Sequence, residues 1–466
     1  MNLSTYRFVY FLGAGGIGMS AIARWFNVNG FEVAGYDKTE TKLTQALENE
    51  GINIHFEDDI QKIPPHFLEN PSQTLVVLTP AIPKNHTEWN HLIAQGFTIL
   101  KRSEVLGLLT SRMFTIGVAG THGKTTTSSM IAHVLKASGK NVTAFLGGIT
   151  QNYQSNFLLN DQTDKLEEVI CVVEADEFDR SFLTLFPDIA VVTSTDADHL
   201  DIYGQHSQLL ESFEMYVSQI KPNGVFFKRQ GINIGQSLSI KTLDYAFESG
   251  DYHTQNFRIE NATFVFDIVY PKGILKDVVL QMPGFHNAEN ALAAFACALA
   301  VGVLPQDIKT ALGSYKGVKR RFEYHLKSDK YTQIDDYAHH PTEISAFLTS
   351  VRALYPNRHI TAIFQPHLFT RTRDFQEGFS ESLSLADRLI LMDIYPAREL
   401  PIEGISSEII LKDVNISDKT ICPAPDVLAL LAGLDLDIVC TIGAGDIDQL
   451  VGPITELLVQ KNIVLL

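Results

Sequence analysis

The stretch Thr115-Ile-Gly-Val-Ala-Gly-Thr-His-Gly-Lys-Thr-Thr-Thr127 constrains this chain more than any other. The apolar run 113–119 reads as a buried parallel strand, Gly120 and Gly123 as a tight turn, and 128–137 as a helical run opened by Lys124 and Thr125. Strand, glycine turn, Lys-Thr and helix make a phosphate-binding loop, Gly120, Thr121, His122, Gly123, Lys124, Thr125 and Thr126. Backbone N–H groups and the helix N-terminus surround anionic oxygens, Lys124 reaches the outer phosphates, and the Thr125 hydroxyl suits Mg²⁺. A bare Gly-Lys-Thr can be a chance glycine-rich turn; the strand before it and the helix after it argue against that here. The strict spacing asks for glycine where Val118 stands.

At 466 residues and 45% hydrophobic, the chain is long enough for three domains with sizeable cores. Its 37 Lys+Arg against 54 Asp+Glu leave a net charge of −17. That charge opposes general attraction to nucleic acid or anionic lipid, so anionic ligands must be held by local loops and a few arginines. Cys171, Cys297, Cys422 and Cys440 lie in apolar runs without ligand spacing and read as small core residues in a reducing compartment. The N-terminus lacks a basic region with a cleavage site, and the longest apolar helix, 291–303, is too short to span a membrane. The expectation is a soluble, cytoplasmic protein with no nucleic-acid or membrane partner, a monomer or weak homodimer.

The chain opens with a strand at 8–12, the GxGxxG run Gly13-Ala-Gly15-Gly16-Ile17-Gly18, a helix at 19–29 and a strand at 31–36 that ends at Asp37. This is a nucleotide-binding βαβ unit, with the acid placed for a ribose hydroxyl. Strands at 74–78 and 98–100 and a helical stretch at 104–109 follow. Beyond the phosphate loop, a strand at 168–173 ends in Glu174-Ala-Asp176-Glu177-Phe-Asp179, and another at 189–192 ends in Thr193-Ser-Thr-Asp196-Ala-Asp198-His199-Leu-Asp201. Acids at strand tips beside a phosphate loop are where metal ligands belong, although each cluster alone reads equally as a solvated loop. Residues 221–277 look β-rich. In Pro283-Gly-Phe-His-Asn287-Ala-Glu-Asn290, Asn287 can simply cap the helix 291–301. The last third is a fresh α/β pattern, with strands at 333–335, 360–364, 388–392 and 437–442. Polar clusters stand at their C-terminal ends, among them His339, His340, His367, Arg371 and Arg373.

Taken together, these stretches resemble the Mur ligases along essentially the whole chain. The resemblance rests on Gly13-Ala-Gly-Gly-Ile-Gly-Met-Ser20, Ala119-Gly-Thr-His-Gly-Lys-Thr-Thr126, Glu174-Ala-Asp-Glu177, Asp196-Ala-Asp-His-Leu-Asp201, Gly284-Phe-His-Asn-Ala-Glu-Asn290, Lys319-Arg-Arg-Phe322, Asp335-Asp-Tyr-Ala-His-His-Pro-Thr342 and Phe364-Gln-Pro-His367. It implies an α/β fold of three domains. These are an N-terminal Rossmann-like domain binding the UDP-sugar (1–106), a central P-loop ATPase-type domain (107–314), and a C-terminal Rossmann-like domain that binds the amino acid and swings to close the site (315–466). The implied reaction is ATP- and Mg²⁺-dependent joining of L-alanine to the carboxylate of UDP-N-acetylmuramate through an acyl phosphate.

The resemblance also implies roles. Lys124 stabilises the transferring phosphoryl group. Thr125 and Glu174 match ligands of the ATP-bound Mg²⁺, and His199 a ligand of a second metal. Asn287 and Asn290 match the adenine-side pair. Arg321 and Asp336 meet the phosphates and the ribose. His367 and Arg371, with Arg373 nearby, surround the incoming amine. Gly13, Gly15, Gly16, Ile17 and Gly18 hold the UDP pyrophosphate, with Asp37 beside them. Leu368 stands where relatives often carry arginine, Phe178-Asp179-Arg180 replaces a Ser-Asp-small continuation, and Glu214 lies where later-step members carry a carbamoylated lysine.

Rival readings remain at this point. A muropeptide-recycling ligase, joining a tripeptide to the same nucleotide sugar, shares the Asp-Asp-Tyr-Ala-His-His-Pro element but usually lacks the Phe-Gln-Pro-His…Thr-Arg run. An NAD-dependent oxidoreductase leaves Lys124-Thr125 unexplained, and a non-catalytic nucleotide-binding regulator needs no acids at both strand tips.

Overall fold

The computed structural model describes residues 3–160, 165–197, 203–397 and 399–463. The first sheet comprises β1 (Phe8–Leu12), β2 (Glu32–Tyr36), β3 (Asn53–His55), β4 (Thr74–Leu78) and β5 (Thr98–Lys101), parallel throughout in the order β3-β2-β1-β4-β5. All five residues of β1 are buried, as an unbroken apolar run in a parallel sheet requires. The following helix runs Ile17–Val28, starting earlier than the sequence suggests, because extended Gly16 is its N-cap. Ile17 and Gly18 therefore belong to its first turn.

The second sheet comprises β6 (Phe114–Ala119), β7 (Val142–Thr150), β8 (Ser155–Leu158), β9 (Ile170–Glu174), β10 (Ile189–Val192), β11 (Val225–Arg229), β12 (Lys241–Ala246), β13 (Tyr252–Glu260), β14 (Thr263–Tyr270) and β15 (Gly273–Leu280). Its order is β15-β14-β13-β12-β11-β10-β6-β9-β7-β8, which puts the phosphate-loop strand β6 between two parallel neighbours, β10 and β9. The β-rich reading of 221–277 corresponds to β11–β15. Strands β7 and β8 were not expected, since Gly147-Gly148 interrupts the apolar run.

The third sheet comprises β16 (Glu323–Lys327), β17 (Thr332–Asp336), β18 (Ile360–Phe364), β19 (Arg388–Leu391), β20 (Asp418–Ile421) and β21 (Ile438–Ile442), ordered β16-β17-β21-β18-β19-β20. Only β16 runs antiparallel to its neighbour. β17 is entirely buried although it reads TQIDD. Its polar groups are paired: Gln333 Nε2 donates to Val451 O, Thr441 and Arg320 donate to Asp335, and Arg358 donates to Thr332.

By its contacts the chain forms two compact units. One is Met1–Gln255 with Ile268–Lys276 and Glu289–Tyr315; the other is Asn256–Asp267 with Asp277–Ala288 and Lys316–Leu466. The expected boundary at 314/315 lies one residue from the division after Tyr315, whereas the expected boundary at 106 falls inside the first unit. The helix Ile17–Val28 explains the latter. Asn156 on β8 donates to Ile17 O (2.5 Å) and to Ser20 Oγ (3.0 Å), and Arg24 donates both to Asn156 Oδ1 (2.5 Å) and to Glu50 (2.8 Å). One apolar core accordingly runs from Val9, Phe11 and Phe26 to Phe145, Phe157 and Val173. All four cysteines are buried and free. Among the described residues, no helix is long and apolar enough to cross a membrane.

Candidate active site

Two left-handed glycines shape the phosphate loop. Gly120 (φ +134°) leaves β6, and Gly123 (φ +81°) caps the helix Lys124–Ala137. Gly120 supplies the turn, so Val118 is free to remain a buried residue of β6. The tip of β10 buttresses the loop from the side. Thr193 Oγ1 donates to His122 O, His122 N donates to Ser194 Oγ (2.8 Å), Thr121 and Ser194 share a hydroxyl bond (2.7 Å), and Asp196 N donates to Thr121 Oγ1 (3.1 Å). A Cβ on Gly120 would collide with Thr193 Oγ1. The buttressing by Thr193 and Ser194 escapes a reading that looks only for acids and histidine. Two hydroxyls directly after a buried strand were the available signal.

Lys124 Nζ donates to Gly120 O (2.6 Å) and to Glu177 Oε1 (2.8 Å). Burial works against its charge, but the carboxylates of Glu177, Asp176 and Glu174 outweigh that and hold its pKa above the ordinary lysine value. Glu174 ends β9 beside the loop strand, and Gly147 N donates to its Oε2 (3.0 Å). A Cβ on Gly147 would overlap this carboxylate, which is why β7 carries glycine there. Arg102, which follows β5, lies against Gly18 and pairs with Asp176 (3.3 Å).

Thr125 lies in the first turn of the loop helix, and the next residue, Thr126, is buried. The hydroxyl of Thr125 and the carboxylate of Glu174 are hard oxygen donors, a set that fits Mg²⁺. His199 lies outside the described residues, as do Asp198 and Asp201. The helix after Pro283 runs Phe285–Ala300, so Asn287 is inside it and not its cap. Asn287 is buried and its Nδ2 donates back to Pro283 O (2.8 Å), while Asn290 Oδ1 accepts from Thr127 (2.9 Å) on the phosphate-loop helix. Glu214 accepts Gly235 N with both oxygens (3.1 and 3.0 Å) and so holds a turn.

In the first glycine loop, Gly13 N and Ala14 N donate to Tyr36 O (2.8 and 2.9 Å). Gly15 N donates to Asp37 Oδ2 (2.7 Å), so Asp37 braces the loop formed by Gly13, Gly15, Gly16, Ile17 and Gly18. Side chains at Gly15 would meet Asp37 and Thr44.

The second compact unit carries the other polar cluster. Asp336, at the end of β17, accepts Phe322 N (2.7 Å) and Ala338 N (2.8 Å), and burial pushes its carboxyl up to about 6. Arg321 pairs with Glu343 (3.7 Å) and lies over the Tyr337 ring. His367 stacks on Tyr395 (5.7 Å) and meets His339 edge-on (6.1 Å). Burial, then the Arg371 charge, lowers the His367 pKa to about 4, leaving a neutral imidazole at neutral pH. Arg371 and Arg373 share the short helix Phe369–Asp374, where exposed Arg373 bonds Asp374 (2.7 Å). Both departures in this part of the pattern and beside the acid motif adopt left-handed backbone, Leu368 at φ 71° and Asp179 and Arg180 at φ 51° and 55°.

Three family models match the chain in sequence: "Mur ligase family, catalytic domain" at 8–113, "Mur ligase middle domain" at 118–298, and "Mur ligase, glutamate ligase domain" at 320–445. The UDP-N-acetylmuramate–L-alanine ligase of Flavobacterium johnsoniae is 49% identical over 99% of this chain and 100% of its own length. That of Parabacteroides distasonis is 48% identical over 99% of both. Among solved structures, the UDP-N-acetylmuramate–alanine ligase MurC of Thermotoga maritima superposes with a TM-score of 0.81 at 26% identity, covering 97% of this chain and 99% of that one. A murein peptide ligase from Psychrobacter arcticus shares the fold, with a TM-score of 0.68 at 22% identity over 97% and 98% of the two chains.

Proposed function

The chain belongs to the Mur ligase family, and from that premise we propose that it joins L-alanine to the carboxylate of UDP-N-acetylmuramate. The reaction consumes ATP and gives UDP-N-acetylmuramoyl-L-alanine, ADP and phosphate, a step in making peptidoglycan precursors. The observation that carries this reading is near-complete coverage at 49% identity by a ligase of that name. The phosphate loop with Lys124 set among strand-tip carboxylates supports it. The assignment of the UDP-sugar to 1–106, ATP to 107–314 and the amino acid to 315–466 is part of the same proposal. So are a cytoplasmic location and a monomer or weak homodimer.

Amide formation from a free carboxylate needs a leaving group. A muramoyl carboxylate oxygen attacks the γ-phosphorus of ATP, the bond to the ADP oxygen breaks, and an acyl phosphate results. The N–H groups that open the loop helix and the ammonium of Lys124 stabilise the charge on the transferring group. Thr125 and Glu174 would hold Mg²⁺, which supplies charge neutralisation at the phosphate oxygens. The alanine nitrogen must then attack the acyl carbon as a neutral amine, although it is largely protonated at pH 7. Arg371 and Arg373 disfavour the ammonium by repulsion, and neutral His367 accepts the proton that is lost. The carbon–oxygen bond to phosphate breaks last, releasing inorganic phosphate.

The test is phosphate release by purified enzyme with ATP, UDP-N-acetylmuramate and either L-alanine or the tripeptide, using ¹⁸O-labelled muramoyl carboxylate. L-Alanine should support turnover, with one ¹⁸O appearing in the phosphate. Turnover with the tripeptide alone would reassign the chain to the recycling reaction, and unlabelled phosphate would eliminate the acyl phosphate.

A further inference from the structure

Glu177 has no part in the chemistry described so far, yet it is fully buried beside the phosphate loop. A carboxylate in that position is costly unless paired, and its partner is the Lys124 ammonium at 2.8 Å. An ammonium carries three N–H donors. Gly120 O takes one at 2.6 Å and Glu177 Oε1 a second, while Thr121 O at 3.5 Å lies at the limit of hydrogen bonding. Two donors are thus fixed to the protein, and the direction of the third is set by tetrahedral geometry.

The segment bearing Glu177 is itself held in place. Tyr203 Oη and Arg180 N both donate to Glu177 O (2.5 and 2.9 Å), and Phe182 N donates to Asp176 O (2.9 Å). Asp179 and Arg180 are left-handed, which bends the chain back so that Phe182 stacks on Tyr216 (5.0 Å). Glu174, three residues earlier, is only half-buried and bonds the backbone of β7. The two acids of one motif therefore serve different groups.

We propose that Glu177 is the positioning residue of the phosphate loop: together with Gly120 O it orients Lys124 so that one N–H remains directed at a phosphate oxygen of ATP. This rests on the reading of the loop as the ATP site. It does not depend on which amine is joined.

The experiment is steady-state kinetics on the full-length enzyme with Glu177→Ala, Glu177→Gln, Lys124→Ala and the Lys124→Ala/Glu177→Ala double variant, each substrate and Mg²⁺ being varied in turn. Glu177→Ala should lower kcat roughly 10²-fold, the scale of a misplaced reacting group, while KM for the nucleotide sugar and the amine stays within about twofold. Glu177→Gln keeps an acceptor of the same length and should recover about tenfold of that loss. In the Lys124→Ala background, Glu177→Ala should cost less than about threefold more, because its effect runs through the lysine. If Glu177→Ala does not fold, Glu177→Asp replaces it with the same expectations. Additive losses in the double variant would overturn the proposal. So would a shifted Mg²⁺ half-saturation in Glu177→Gln, or a lowered melting temperature with kcat unchanged. If the wild type uses the tripeptide in place of L-alanine, the series is read with the tripeptide: the assigned amine then fails while the role of Glu177 is still decided. Absence of ATP-dependent phosphate release with either amine defeats both.

Discussion

Val118 and Glu174 are register partners on the parallel strands β6 and β9. The residue that departs from the strict phosphate-loop spacing thus stands next to the acid suited to the metal. A hydrogen-bonded ladder, not a flexible loop, sets the distance between the loop and that carboxylate.

Lys124→Ala removes the cation aimed at the outer phosphates. Its kcat should fall about 10²–10³-fold, the cost of deleting one preorganised donor at a developing charge. The melting temperature should fall as well, because the buried Glu177 carboxylate loses its ammonium partner. Near-normal turnover in a folded variant would refute the role.

Gly147→Ala places a methyl group where the Glu174 carboxylate lies. Displacing that carboxylate should cost roughly tenfold or more in kcat and raise the Mg²⁺ concentration for half-maximal rate. A magnesium titration identical to wild type would mean that Glu174 does not act where we place it.

His367 should work as a neutral base. With its pKa lowered to about 4, it is deprotonated above about pH 5, so the acid limb it contributes lies near pH 4 and not near the ordinary 6.5. His367→Gln should lower kcat/KM for the amine about 10²-fold with little change in KM for ATP. An acid limb near 6.5 that disappears in this variant would contradict the assignment.

Glu88 offers a test of stability in place of rate. It is buried, accepts from Tyr10 Oη (2.6 Å), and is surrounded by His55, Asp58 and Asp59. Burial raises its pKa from 4.5 to about 7. A raised carboxyl favours the folded state below its unfolded pKa, and that contribution is lost as pH rises through about 7. Glu88→Gln should therefore gain stability relative to wild type as pH rises from about 4.5 to about 7, by up to about 3 kcal/mol, with no further gain above that. A gap that stays constant with pH would show that Glu88 is charged throughout.

Strands whose apolar run ends in a glycine turn or an acid, such as β1, β6, β9 and β10, were legible because burial on both faces leaves an unmistakable composition. β17 was readable only in part, since two of its buried polar side chains, Asp335 and Gln333, draw on partners more than 100 residues away, Thr441 and Val451. β7 was hidden by Gly147, a residue chosen for the space of Glu174 and not for strand propensity. In the site, Lys124, Thr125 and Glu174 stand at strand and helix ends as their motifs imply. The use of Asp37 as a brace for Gly15 N, and of Glu177 as a partner for Lys124, depends on where an acceptor points, which no spacing encodes.

The four buried thiols have a practical consequence. Burial raises the pKa of each, so none presents a reactive thiolate at the surface. The native chain should therefore be a silent background for maleimide chemistry. One cysteine introduced at an exposed position of each compact unit, for example at Leu400 in the second, would carry a donor or acceptor dye without prior removal of native residues. Energy transfer between such dyes, recorded as ATP and then the nucleotide sugar are added, would time the swing that the family resemblance implies.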